Sequence, residues 1–181
     1  SHNPQSLLPT IKSRCRELRL SSLKESDLKS ALKQMNLNVP ENDSKIYSLL
    51  GSGSVGNSIR LLEHDGAGLY RTLLSFLNQL PNLNGFELEK FIATFSGNKN
   101  RSRLDLFVEL LNMVIARISK AGIMGYSSED QILEDEKEIF TKLCPNPIIA
   151  KKWAELAQTQ SENLKHGLAV NLDPSSLILD T

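Results

Sequence analysis

The stretch "GSGSVGNSIRLLE", residues 51–63, decides the fold. Three glycines and two serines in the first six residues look like a phosphate-cradling loop. A P-loop, however, closes on Lys followed by Ser or Thr and comes directly after a strand. Here Val55-Gly56-Asn57 stands where that ending would be, and the preceding residues, "ENDSKIYSLL", carry Ile46, Leu49 and Leu50 at helical spacing. Gly51 and Gly53 then read as the end of one helix and Ser54 as the cap of the next, "SVGNSIRLLE", with Val55, Ile59 and Leu62 on a shared face. This reading predicts an all-α chain and removes the glycine run from the nucleotide-binding motifs.

Helical spacing extends both ways from this point. Upstream, "SSLKESDLKSALKQMN" puts Leu28, Ala31 and Leu32 on one face, with Ser22 or Ser26 as candidate caps and a break over residues 36–40. These three short helices, residues 22–65, make a bundle of about 45 residues. That is near the lower limit for independent folding, so the group is expected to lean on a neighbour. After a glycine-bearing link at residues 64–68, the stripes lengthen. Leu69, Leu73, Phe76 and Leu77 form one, Leu88, Phe91, Ile92 and Phe95 the next, and Phe107, Leu110, Val114 and Ile118 a third. A polar loop is expected at 121–131 and a short acidic helix at about 132–143. A long helix follows from about 148 to 171, then a stop and restart with Asp173 as cap. Residues 66–181 form a second, larger helical domain. The one strand candidate, Arg16 to Leu20, stands alone, and a lone strand has no partner to stabilise it. Together with the abrupt start, it suggests that residues 1–21 are the tail of a domain lying upstream.

The totals narrow the function classes. Lys plus Arg and Asp plus Glu are 21 each in 181 residues, unlike the basic face of a stand-alone nucleic-acid binder. No apolar run reaches the length of a membrane span, and the first residues lack the plan of a signal peptide, so a cytoplasmic protein is expected. Cys15 and Cys144, with His2, His64 and His166, have no metal-ligand spacing. No nucleophile–base–orienter motif occurs. The remaining chemistry-bearing stretch is "LLPTIKSRCR", residues 7–16, which places Lys12, Arg14 and Arg16 around Cys15. A solvated strand edge, a phosphate contact and a cysteine site are its possible readings.

"LLPTIKSRC" resembles the Ser-Arg-Cys segment of the clamp-loader ATPases, a branch of the AAA+ family. "GSGSVGNSIRLLE" resembles the sensor-2 segment of their lid. "GAGLYRTLLSFLNQLPNL" and "NLDPSSLILD" resemble the collar of a bacterial DNA polymerase III loader subunit. The resemblance implies that residues 1–21 end the nucleotide-binding domain, 22–65 form the helical lid and 66–181 form the collar. It makes Arg14 an arginine finger acting in trans on ATP held by a neighbouring gamma or tau subunit, flanked by Ser13 and Cys15. Such a finger contributes about 10³ to 10⁵ in rate. The family's ATP-hydrolysing members carry Gly-Ser-x-Arg at sensor 2, whereas Gly53-Ser54-Val55-Gly56 places Gly56 at the arginine position, and Arg60 lies a turn further on. This departure implies a subunit that does not hydrolyse ATP and is not itself an enzyme. The implied partners are the gamma or tau and delta subunits, with the sliding clamp and primed DNA reached through the assembled loader and no membrane. Neither a cofactor nor a metal is implied in these residues, because the Walker motifs and zinc module would lie upstream. An ATP-hydrolysing gamma or tau-type subunit, and a helical adaptor without nucleotide chemistry, remain as alternatives.

Overall fold

A computed structural model describes residues 8, 10, 13–16, 21–97, 100–127 and 131–170, with backbone alone at residues 41 and 160–170. Eight α-helices and one 3-10 turn lie among these residues, and no strand. Helix α1 is Glu25–Gln34, and the 3-10 turn Glu41–Asp43 leads into α2, Ser44–Leu50. Then follow α3 (Val55–Glu63), α4 (Gly66–Gln79), α5 (Gly85–Ala93), α6 (Arg101–Met124), α7 (Glu136–Leu143) and α8 (Pro147–Val170). Of the expected strand, Arg16 is exposed and outside any regular element. Residues 17–20 lie outside the described residues, as does the restart at Asp173.

The local chemistry at residues 51–63 matches the capping reading. The Ser54 side chain accepts a hydrogen bond from the Asn57 N–H at 3.4 Å and starts α3. Gly53 adopts φ +67, where a Cβ would meet the Leu23 backbone. The Leu23 N–H donates to the Gly53 carbonyl at 3.0 Å, which lays the segment before α1 on this loop. The buried side of α3 is set by Ser58 and Leu61, while Val55, Ile59 and Leu62 are half-buried. The face is rotated from the expected one because the Ser58 hydroxyl is drawn inward. It donates to the carbonyls of Tyr47 at 3.3 Å and Ser54 at 2.9 Å.

Other expectations shift in register. Helix α1 is capped by Lys24, without a side-chain hydrogen bond, instead of Ser22 or Ser26. The link at 64–68 shortens to His64 and Asp65. Asp65, at φ 54, accepts from the Gly68 N–H, so both glycines belong to the first turn of α4. Residues 121–124 extend α6 before Gly125, at φ +83, ends it.

One buried cluster gathers residues from both sides of position 65. Ile46, Tyr47, Leu50 and Leu61 join Leu69, Tyr70 and Leu73 of α4, and Leu106, Phe107, Leu110 and Val114 of α6. Phe91 fixes α5 from outside through edge-on contacts with Phe76 (5.4 Å), Phe95 (5.0 Å) and Phe107 (5.1 Å). Helix α8 packs along α6, and the Ser119 hydroxyl donates to the Ala150 carbonyl at 2.9 Å.

Candidate functional site

The Ser-Arg-Cys segment forms an exposed turn. The Ser13 hydroxyl donates to the Thr10 carbonyl at 3.2 Å, and Arg14 and Cys15 both face solvent. A permanently charged guanidinium held on such a turn can fork onto phosphate oxygens. Cys15 and Cys144 are both free thiols. Cys144 is packed in the core, and burial raises its pKa above its ordinary value.

The sensor-2-like position is open. Gly56 lies exposed in the first turn of α3, and a Cβ built there would meet nothing within 4 Å. Arg60, one turn further, is engaged elsewhere. Its Nη1 donates to both carboxylate oxygens of Glu109 on α6, at 3.1 and 2.9 Å. No hydrogen bond or ion pair among the described residues joins Ser13, Arg14 or Cys15 to the Gly53–Gly56 loop.

The densest polar cluster was not singled out in the sequence. Glu136, at the start of α7, is fully buried. One carboxylate oxygen accepts from the Arg117 guanidinium, the Tyr126 hydroxyl and the Ile132 N–H, each at 2.8 Å. The other accepts from the Tyr70 hydroxyl. Every donor is a group that a carboxylate favours, and together they tie α4, α6, α7 and the 125–135 connection at one point. Burial, foremost, and then hydrogen bonding to Glu136 raise the pKa of Tyr126 far above the ordinary tyrosine range. Tyr70 is raised for the same leading reason, against the opposing charge of Arg117. The one sequence signal was a Glu in an acidic helix start, which is indistinguishable from the solvated Glu134 and Asp135 beside it.

Next to this cluster lies a half-open cleft of about 500 Å³. Leu49, Met113, Ala121 and Phe140 give its apolar lining, and Arg117, Lys120 and Tyr126 its polar wall. Among the described residues, no group of three or more His, Cys, Asp or Glu side chains could hold a metal ion. No described helix is long and apolar enough to cross a membrane.

Comparison of the chain with protein-family models, curated proteins and solved structures finds no match.

Proposed function

We propose that this chain is the lid and collar of a bacterial clamp-loader delta-prime subunit, in the DNA polymerase III holoenzyme. In this reading its collar joins the gamma or tau and delta subunits in the loader pentamer. Arg14 serves ATP hydrolysis on the neighbouring subunit while the loader places the sliding clamp on primed DNA. The observation that carries the non-hydrolysing assignment is the pairing of an open Gly56 with an engaged Arg60. The position that would touch nucleotide in the same subunit has no side chain, and the nearest arginine is held by Glu109. The exposure of Arg14 on a short turn supports a role toward another subunit.

The test is a reconstituted loader carrying Arg14→Ala in the full-length subunit. Hydrolysis at the adjacent site is expected to fall by about 10³ to 10⁵ with assembly intact. Arg60→Ala is expected to leave hydrolysis unchanged. Normal DNA-stimulated hydrolysis and clamp loading by the Arg14 variant would overturn the finger role. Loss of hydrolysis on replacing Arg60 would point to a gamma-type subunit instead.

A further inference from the structure

We infer that the glycine–serine loop, residues 51–54, is a releasable clasp for the chain that enters α1. Closed, it fixes that chain to α2 and α3. Open, it lets the chain swing from Lys24 while the core stays folded. The inference stands apart from the clamp-loader reading.

The loop's own amides are already bonded. The Gly51 N–H donates to the Tyr47 carbonyl at 3.0 Å and the Ser52 N–H to Leu49 at 3.2 Å. The Gly53 N–H donates to Ser48 at 3.1 Å and the Ser54 N–H to Gly51 at 2.9 Å. A phosphate-cradling loop aims successive unbonded N–H groups at its ligand, and these four are engaged within the chain. What the loop presents instead is the Gly53 carbonyl, which accepts from the Leu23 N–H at 3.0 Å. A Cβ on Gly53 would lie 2.5 Å from the Leu23 carbonyl oxygen, 2.8 Å from its nitrogen and 2.9 Å from the Ser22 Cβ. Two backbones therefore meet at a separation that only glycine allows.

The two partners differ in stiffness. The loop is pinned from within, because the Ser58 hydroxyl donates to the Tyr47 and Ser54 carbonyls on either side of it. The entering chain is lightly held. Ser21, Ser22 and Lys24 are exposed, and Lys24 caps α1 without a side-chain hydrogen bond. Beyond Lys24 the attachment is firm: Leu28 and Leu32 are buried and seat α1 on α2 and α3. One backbone hydrogen bond, with a Leu23 side chain still 37% exposed, favours the closed state by about ten- to a hundredfold. Opening it unseats neither leucine, so release is local. In the closed state the chain that carries the Ser13–Cys15 turn leaves from a fixed point on the loop. In the open state it leaves from Lys24.

Native-state hydrogen exchange, read amide by amide by NMR, tests this in the chain as it stands. The Leu23 amide is expected to exchange about ten- to a hundredfold more slowly than in an unstructured chain. Its rate should be insensitive to urea below the unfolding transition, because opening exposes little surface. The amides of the buried Leu110 and Val114 should be far slower and should quicken steeply with urea. Gly53→Ala should strip Leu23 of its protection and leave Leu110 and Val114 protected, which also shows that the variant folds. Gly56→Ala, at a position where a Cβ meets nothing within 4 Å, should leave Leu23 protected. Exchange of Leu23 at the open-chain rate in the parent would mean that no clasp forms. Protection and urea dependence equal to those of Leu110 would mean that it is not releasable. Protection of Leu23 that survives Gly53→Ala would equally overturn the inference. The parent's exchange at Leu23 decides alone should Gly53→Ala fail to fold.

Discussion

Glu136 is a residue whose value to the fold depends on its being fully partnered. A carboxylate removed from water loses several kcal/mol of solvation, and only its surrounding donors offset that loss. Glu136→Ala removes the acceptor shared by the half-buried Arg117 guanidinium, two tyrosine hydroxyls and the Ile132 N–H, and should cost about 3–5 kcal/mol. Tyr126→Phe removes one charge-assisted hydrogen bond from a half-buried position and should cost about 1.5–3 kcal/mol. Urea unfolding checks both values and their order; a Glu136→Ala variant as stable as the parent would mean that the cluster is incidental. The chain's three tyrosines, Tyr47, Tyr70 and Tyr126, all have raised pKa values, with burial the leading cause in each. In the unfolded chain they ionise near pH 10. Above that pH the unfolded state therefore binds fewer protons than the native one, and stability falls as pH rises. Below pH 10 this contribution is fully present. Absorbance at 295 nm should show less tyrosinate at pH 10 in the folded protein than in the unfolded chain. The remainder should appear together with the loss of helical circular dichroism. Complete ionisation before unfolding would contradict the burial of these hydroxyls.

At the scale of elements, the junction of α6 and α8 depends on the missing side chain of Gly122. A Cβ there would lie 2.8 Å from that of Ala150 and closer still to the Cys144 sulfur. Gly122→Ala should separate the helices and cost about 1–3 kcal/mol, even though alanine favours helix. Adding Cys144→Ala removes the nearest obstacle and should recover part of the loss. A double-mutant cycle measures the coupling, and strictly additive losses would place the strain elsewhere. Gly122 also shows what sequence can and cannot convey. The stripe Phe107, Leu110, Val114 and Ile118 announces α6 because its spacing follows from the helix itself. Gly122 and Gly125 look alike in sequence, and both suggest a loop. Only the approach of α8 makes one an interior contact and the other a terminus. Ser58 is similar: its inward turn depends on the Tyr47 carbonyl, eleven residues away, and no local period predicts it. Glu136 was illegible for the same reason, since its donors come from Tyr70, Arg117, Tyr126 and Ile132, up to 66 residues distant. By contrast Ser54 was readable, because a cap and its recipient amide lie three residues apart.

Across the whole molecule, the helices before residue 65 are too few to bury a core alone. They complete one by sharing it with α4 and α6. Leu61 is 3% exposed, and its side chain lies where a Cβ on Gly66 would stand, at the turn between the two groups. Leu50 belongs to the same cluster as Leu110 and Val114. An interface that continuous couples the stability of its two sides, because neither can unfold without exposing apolar surface on the other. Calorimetry should therefore show one transition for residues 25–150. Leu61→Ala, costing about 2–5 kcal/mol as a core cavity, should lower that single midpoint by roughly 4–20 °C. Two transitions, with only the lower one moved by Leu61→Ala, would mean that α1 to α3 form a unit that melts by itself. In that case the Arg60–Glu109 ion pair, exposed and worth at most about 1 kcal/mol, would be a weak fastening between separate bodies. A single transition instead makes the shared apolar surface the connection and the ion pair its orienting edge. It would also mean that a displacement of α3 by a neighbouring molecule reaches α4 and α6 directly through packed side chains.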